Sequence, residues 1–450
     1  MDVADLIARY DQRVPRYTSY PTAPHFSPAV DGGVLAAWLA VLPVDAPLSL
    51  YLHVPFCNML CRFCACHTTV VNRPDPLIAY ADTLLAEIDL VARTIGRRAP
   101  VRHIHWGGGT PTSLPAGWMA AVGNRLREKF AVAADAEIAV EIDPRNMSPA
   151  SLAALAEMGV TRASIGVQDF DPTVQHAIGR IQPYDVTAAC ADRLRSIGVT
   201  SLNLDLIYGL PHQTVAGVAA TVRKALDLAP DRVAVFGYAH VPWMKKQQEL
   251  ISVEALPGPL ERFHQREAAE QELTRAGYVR VGMDHYARPA DELARAAVAG
   301  RLKRNFQGYT TDDAPALIGL GASAIGALPW GYVQNHPRVP EWRDAVRAGQ
   351  LPTARGVALT DEDRLRRALI ERIMCDLRAD LPAIAAALGA DPDGLLAAGP
   401  MLQAQARDGL VEWDGRIVRV TEAGRPFLRA VAAVFDTYFQ ASEARHAAAI

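Results

Sequence analysis

The sequence predicts an α/β protein: an incomplete parallel β/α barrel, preceded by an N-terminal arm and followed by a mostly helical, winged-helix-like C-terminal domain. Three observations carry this reading. Between residues 48 and 240, short β-rich runs alternate with amphipathic helical stretches, the pattern of βαβ units and a parallel sheet. Each β-rich run ends in polar or glycine residues, so the unusual side chains gather at one end of the sheet. Beyond residue 356, helical stretches give way to two short β-rich runs around Asp414-Gly415, a strong hairpin signal.

Taken in order, residues 1–46 form the arm, with several prolines, Arg16-Tyr17-Thr18-Ser19-Tyr20-Pro21 and little regular periodicity. The barrel core is assigned to 47–280. Its strands are expected at 49–54, 103–106, 137–142, 162–167, 201–207 and 232–238, with helices near 76–95, 115–130, 149–158, 184–197 and 214–228. An open doubly wound sheet and a full or partial barrel both fit this alternation. The cysteine cluster follows the first strand, Gly107-Gly108-Gly109-Thr110 the second, and Glu141 and Asp143 end the third. Gln168 ends the fourth, Asp205 lies late in the fifth, and Ala239-His240 ends the sixth. So many functional side chains at strand C-termini favour one barrel mouth over a sheet crevice. After a helix near 259–276, residues 281–355 read as a barrel extension and connecting loops, and 356–450 as the helical C-terminal domain.

A chain of 450 residues exceeds one ordinary compact core. With 50% hydrophobic and 21% charged residues, the composition is that of a soluble globular protein. A net charge of −3 gives no general attraction to nucleic acid or anionic membrane. No apolar run approaches the ~20 residues that span a bilayer, and Met1-Asp2-Val3-Ala4-Asp5 lacks the basic start of a secretory signal. The expectation is a cytoplasmic monomer without nucleic-acid or membrane partners.

Of six cysteines, four crowd into residues 57–66. In a reducing compartment such crowding favours metal binding over disulfides. Cys190 and Cys375 stand alone in apolar-periodic stretches and read as buried helix residues. In Cys57-Asn58-Met59-Leu60-Cys61-Arg62-Phe63-Cys64-Ala65-Cys66 the spacing is C-x3-C-x2-C, which lets three thiolates bind three irons of a cubane. The fourth iron is then open to another ligand, as at catalytic metal sites. A zinc knuckle is the alternative, but no second Cys or His pair accompanies the cluster. An electron-transfer cluster would need a fourth ligand. Cys66 is one residue from Cys64, which is awkward for the same cubane, so Cys66 reads as facing the cavity. Gly107-Gly108-Gly109 matches neither a phosphate loop nor G-x-G-x-x-G; it is either a strand-end turn or a place where backbone amides approach a ligand. Tyr51 and His53 share one strand face. His53 reads either as a satisfied core histidine or as a hydrogen-bonding or proton-handling group.

The C-x3-C-x2-C spacing resembles the radical S-adenosylmethionine (SAM) superfamily, and other segments narrow the likeness to the oxygen-independent coproporphyrinogen III oxidases. They are Tyr51-Leu52-His53-Val54-Pro55-Phe56, Cys66, His105-Trp106-Gly107-Gly108-Gly109-Thr110-Pro111-Thr112 and Gly166-Val167-Gln168-Asp169-Phe170. So also are Asp205-Leu206-Ile207-Tyr208-Gly209-Leu210-Pro211, Gly282-Met283-Asp284-His285 and Asn305-Phe306-Gln307-Gly308-Tyr309. The chain departs from the family pattern at Ala65 and His67, where glycine and asparagine are expected.

The resemblance implies a radical-SAM type of barrel, a 4Fe–4S cluster on Cys57, Cys61 and Cys64, and two molecules of S-adenosyl-L-methionine. The first would meet Tyr51, Phe63, Gly108, Glu141 and Ile325, the second Gly109, Thr110, Gln168, Arg180, Asp205 and Ala239. Cys66, His53 and Tyr51 are the implied catalytic residues. The implied partners are coproporphyrinogen III, whose four propionates need cations such as Arg16, Arg73, Arg288 or Arg304, and a reducing electron donor such as flavodoxin or ferredoxin. Two rivals are a haem-binding chaperone and a radical enzyme that modifies another tetrapyrrole.

Overall fold

A computed structural model describes residues 2–439. The last residues of the expected C-terminal domain, 440–450, and Met1 lie outside the described residues. Six βα units follow one another: β1 (Leu48–Val54), α1 (Pro74–Ile95), β2 (Pro100–Gly108), α2 (Ala116–Lys129), β3 (Ala131–Ile142), α3 (Pro149–Met158), β4 (Arg162–Gln168), α4 (Tyr184–Ser196), β5 (Ser201–Tyr208), α5 (Val215–Asp227), β6 (Arg232–Gly237) and α6 (Pro259–Arg275). Strands β7 (Val279–Val281), β8 (His285–Ala287), β9 (Ala316–Leu320), β10 (Ile325–Leu328), β11 (Gly331–Asn335) and β12 (Thr353–Ala358) complete one 12-stranded sheet. Its order is β12-β11-β10-β9-β1-β2-β3-β4-β5-β6-β8-β7.

That order decides between the two architectures. From β1 to β6 every crossover steps one strand in the same direction, and all these pairings are parallel. A doubly wound sheet would reverse at a switch point; this one does not. The sheet curls as an unclosed barrel. β9 extends it in parallel beside β1, while β10–β12 at one end and the β7–β8 hairpin at the other are antiparallel.

Strand period 2 divides the residues between two environments. On β1, Leu48, Leu50, Leu52 and Val54 are fully buried against the helical layer, with Leu84, Ile88 and Val91 of α1 in the same core. The alternate positions, Ser49, Tyr51 and His53, face the lumen, as do His103 and His105 on β2, Glu141 on β3, Ser164 on β4, and Asn203 and Asp205 on β5. A closed eight-stranded barrel fills its lumen with branched apolar side chains. The lumen here is lined by hydrogen-bonding groups instead, which makes it a ligand cavity.

The arm is more regular than its prolines suggest. Val3–Tyr10 is an amphipathic helix whose Leu6, Ile7 and Tyr10 join the apolar core of the C-terminal domain, and Gly32–Ala40 is a second helix capped by Asp31. Packing supplies the stability that so short a helix lacks in isolation. In the C-terminal domain, Asp361–Asp376 begins with a Thr360/Asp363 capping box, and the hairpin of Val411–Trp413 and Ile417–Val420 turns at Asp414-Gly415. With Arg378–Asp380 the hairpin forms a three-stranded sheet beside the helices, a winged-helix arrangement. No helix among the described residues is long and apolar enough to cross a membrane.

Candidate functional site

The cysteine loop leaves β1 and is stitched to the end of β2. Gly109 N donates to Val54 O at 2.8 Å and Thr110 N to Phe56 O at 2.7 Å. A Cβ on Gly109 would lie 2.5 Å from both Phe56 O and Thr68 Oγ1, so only glycine permits this approach. Cys57 Sγ accepts from Thr68 Oγ1 at 3.2 Å and lies 3.5 Å from Thr110 Oγ1. Cys61 Sγ accepts from Arg145 Nη2 at 3.5 Å and Arg180 Nη1 at 3.6 Å, and both guanidiniums also hold Asp143. The Cys66 backbone amide donates to Cys64 Sγ at 3.4 Å. Contact with Cys66 pulls the Cys64 pKa down, and contact with Cys64 together with burial pushes that of Cys66 up.

Cys57, Cys61, Cys64 and Cys66 line one cavity of about 170 Å³ together with Phe63, Gly108, Gly109, Thr110, Glu141, Gln168, Arg180 and Asp205. The structure thus brings together most of the expected cofactor contacts. Among the described residues no three His, Cys, Asp or Glu side chains converge closely enough to hold a single metal ion. The donor set fits an anionic multi-iron cluster. Three thiols line one wall, and beside Cys61 the buried Arg145 Nη1 and Arg180 Nε have no hydrogen-bond partner among the described residues. An orphaned buried cationic N–H is costly unless an acceptor fills the cavity.

Glu141 ends β3 above the glycines. Its Oε1 lies 3.1 Å from His105 Nε2, and its Oε2 accepts from Gly108 N at 3.1 Å. Burial works against the charge, but the bonds from His105 and Gly108 outweigh it and hold the carboxyl below its usual pKa. A Cβ on Gly107 would sit 2.7 Å from Glu141 Oε1, and one on Gly108 (φ +113°) 2.8 Å from the His53 ring. The glycines therefore make room for the protein's own Glu141 and His53, rather than leaving free amides to meet a ligand. His53 Nδ1 lies 2.9 Å from Tyr51 Oη and Nε2 3.2 Å from His67 O. A carbonyl only accepts, so Nε2 carries the proton and Nδ1 accepts from Tyr51. Burial lowers the His53 pKa to about 4. Both nitrogens are thus engaged and burial favours the neutral ring, which holds Tyr51 and the cysteine loop in place.

Across the mouth, β4 bulges between Gly166 and Gln168, and Gln168 takes the left-handed conformation (φ 71°) that re-aims its side chain. Asp205 accepts from Ser164 Oγ at 2.7 Å and Asn203 Nδ2 at 2.8 Å; burial raises its pKa, and Glu141 adds to the rise. Arg180, read from sequence as a clamp for a cofactor carboxylate, already binds Gly166 O at 2.7 Å and Asp143 at 3.2 Å. These bonds tie the cysteine loop to β3 and β4, while Nε is left without a partner among the described residues.

Ala239 and Ile325 do not line this cavity. Ile325 packs with Phe306 and Tyr332 and passes beside Gly319, the register partner of Tyr51, where a Cβ would meet the Ile325 carbonyl carbon at 2.8 Å. Ala239 is linked to the site through Gln248, a fully buried residue that sequence reasoning missed. Gln248 Nε2 donates to Phe63 O at 2.8 Å and to Ala239 O at 3.1 Å. Its neighbours act alike: Gln247 Nε2 donates to Cys64 O and Lys245 Nζ to Cys66 O, both at 2.7 Å. The segment after β6 therefore straps the cysteine loop down through its carbonyls.

The four arginines considered for propionates separate cleanly. Arg73 is exposed before α1. Arg288 binds Pro230 O at 2.9 Å at the other end of the strands. Arg16 and Arg304 alone among them line an interior chamber, with Asp284 and His285. Cys190 and Cys375 are buried among apolar residues, as expected.

Comparison with known proteins agrees with this geometry. Residues 51–225 match the model of the radical SAM superfamily, and residues 359–427 that of the HemN C-terminal domain. The chain is 51% identical over 448 residues to the oxygen-independent coproporphyrinogen III oxidase of Bradyrhizobium diazoefficiens, covering 99% of this chain and 100% of that one. It is 47% identical over 441 residues to the corresponding Paracoccus denitrificans protein, covering 98% and 97%. The solved structure of Escherichia coli coproporphyrinogen III oxidase (HemN), a radical SAM enzyme, superimposes with a TM-score of 0.89 at 39% identity, over 95% of this chain and 100% of that one.

Proposed function

Since this chain belongs to the oxygen-independent coproporphyrinogen III oxidases of the radical SAM superfamily, we propose a division of labour among its residues in that reaction. The protein converts the propionates on rings A and B of coproporphyrinogen III to the vinyl groups of protoporphyrinogen IX, in haem biosynthesis. Each conversion removes one β-hydrogen atom, releases carbon dioxide and gives up one electron, so the carbon–carbon double bond forms with atoms and charge balanced. When bound at the cavity, a 4Fe–4S cluster supplies the electron that splits S-adenosylmethionine into methionine and a 5′-deoxyadenosyl radical.

Cys57, Cys61 and Cys64 hold the cluster, and Arg145 and Arg180 offset its negative charge at Cys61. Glu141, fixed by His105 and Gly108, binds the amine of the SAM at the cluster, with Tyr51, Phe63 and Ile325 around it. Gln168 and Asp205, with Gly109, Thr110, Arg180 and Ala239, serve a second SAM; the support is that all of these but Ala239 line the same cavity as the cysteines and Glu141. Cys66 keeps its thiol beside the reacting centre while leaving the fourth iron open. Met59 and Leu60, 50% and 46% exposed on the loop between Cys57 and Cys61, suit the docking of a reducing donor such as flavodoxin or ferredoxin. We place this monomeric enzyme in the cytoplasm.

The observation that carries the assignment is the three-thiol cavity with Cys66 at its edge and Glu141 opposite. The test is anaerobic incubation of reduced, reconstituted protein with SAM and coproporphyrinogen III, read by mass spectrometry. The expected product is lighter by two carbon dioxides and two dihydrogens. A methylated tetrapyrrole, or haem binding without SAM cleavage, would overturn the reading.

A further inference from the structure

Arg16 belongs to the arm, yet its guanidinium reaches inside the molecule. It lines a chamber of about 200 Å³ with Tyr208, Gly237, Asp284, His285 and Arg304. Arg16 keeps solvent access within that chamber while protein encloses it. Its backbone is anchored, because Arg304 Nη2 donates to Arg16 O at 3.2 Å. Its side chain is not: among the described residues no hydrogen bond or ion pair engages the Arg16 guanidinium.

The neighbouring charges are already committed. Asp284 binds His285 Nδ1 at 2.7 Å and feels both Arg304 and Arg16. Arg304 stacks on Tyr309 at 4.5 Å. Arg429, which also lines the chamber, binds Val14 O at 3.1 Å and has Asp11 nearby. One carboxylate thus faces two guanidiniums at Asp284: among the described residues Arg304, though stacked on Tyr309, keeps Nε and Nη1 without an acceptor, and no acceptor meets the Arg16 guanidinium. A guanidinium that faces the chamber with no protein acceptor is free to take an anion with two parallel acceptors, which a carboxylate supplies. Tyr208 and Gly237, at the ends of β5 and β6, line this chamber, and Asp205 on β5 lines the cysteine cavity, so both spaces lie along the same strand ends.

We propose that Arg16 binds a propionate carboxylate of the tetrapyrrole, orienting the macrocycle toward Cys66; this rests on the decarboxylase reading above. The arm then contributes a substrate-binding residue. Lysine keeps the charge but loses the planar fork, so R16K should recover part of what R16Q loses.

The test uses cluster-loaded, unreduced full-length protein, titrated anaerobically with coproporphyrin III and followed by porphyrin fluorescence. R16Q is expected to bind about tenfold or more weakly, with R16K intermediate. The tetramethyl ester, which lacks the carboxylates, should bind wild type and R16Q alike. Iron content, the cluster's EPR spectrum and SAM affinity should match the wild type. Equal affinity of R16Q and wild type for coproporphyrin III overturns the proposal. So does loss of iron or SAM binding in both variants, since Arg16 would then be part of the framework. If wild-type protein forms no vinyl product in the anaerobic assay, the decarboxylase reading fails, whereas the binding comparison still decides whether Arg16 grips a carboxylate.

Discussion

Tyr51 donates its hydroxyl hydrogen to Nδ1 of His53 at 2.9 Å, and this is possible because His53 Nε2 is committed to the carbonyl of His67. The pair thus locks a tautomer, a phenol orientation and the far end of the cysteine loop in one arrangement. Burial lowers the His53 pKa from 6.5 to about 4. Between these values the unfolded chain binds a proton that the folded chain refuses, so the stability linked to His53 is present above pH 6.5 and is lost as pH falls toward 4. The full effect is on the order of 3 kcal/mol. Denaturant unfolding of cluster-free protein at pH 5 and pH 7 should show this loss in wild type and a smaller one in H53Q. An equal loss in both would refute the assignment.

Glu87 carries the opposite sign. It is 1% exposed and accepts from Gly321 N and Asn335 Nδ2, both at 2.7 Å, and from Trp342 Nε1 at 3.1 Å, yet burial raises its pKa to about 7. From about pH 4.5 to 7 the folded protein retains a proton that the unfolded chain releases, so this contribution declines as pH rises. The stability advantage of wild type over E87Q should shrink across that interval and level off above it. A gap that widens with pH would contradict the protonation assigned here.

The cysteines should divide three to one. Replacing Cys57, Cys61 or Cys64 by alanine is expected to abolish the cluster, seen as loss of iron, sulfide and the reduced EPR signal after reconstitution. C66S should keep all three signals and lose product formation. Iron loss in C66S to the level of the other variants would make Cys66 a ligand.

Glu141 should be separable from the cluster. E141A is expected to weaken SAM binding by about ten- to a hundredfold while iron content holds. H105A, which removes the 3.1 Å contact to Glu141, should weaken it less. Unchanged SAM affinity in E141A would move the amine site elsewhere.

Gln248 is expected to behave as a positioning residue. Q248A strips a donor from Phe63 O and Ala239 O and an acceptor from Val241 N, which together should cost about 2–4 kcal/mol. Its distinguishing signature is local: hydrogen exchange across residues 61–66 should accelerate in cluster-free protein. Protection unchanged in that loop would show that the strap is dispensable.

Much of this architecture was legible in the chain. The strands and helices of the βα units fall close to their expected places because lumen and core positions alternate so regularly. β2 and β3 run longer than expected: β2 spans Pro100–Gly108 rather than 103–106, and β3 begins at Ala131 rather than Glu137, since an alanine-rich run carries no strand signature of its own and is drawn in by pairing with β2. The cysteine cavity was readable because its residues sit at strand ends. The strap was not: Lys245, Gln247 and Gln248 look like solvated loop residues, and only the fold shows that carbonyls lie beneath them. Arginines were equally mute. Arg16 and Arg288 differ by which end of the sheet they reach, a property of topology rather than composition.

The arm is secured at the opposite terminus of the chain: Tyr17 donates to Asp436 at 3.0 Å, and Tyr20 Oη lies 3.0 Å from Thr437 Oγ1. A ribosome delivers the first of these partners long before the second. During synthesis the arm can settle against Arg304 and Gly356 first, but its Tyr17 and Tyr20 hydroxyls must wait for residues 436 and 437. A chain halted before Leu428 has a finished barrel but lacks Arg429 in the chamber wall and the partners of Tyr17 and Tyr20, so truncation there loosens the N-terminal arm as well.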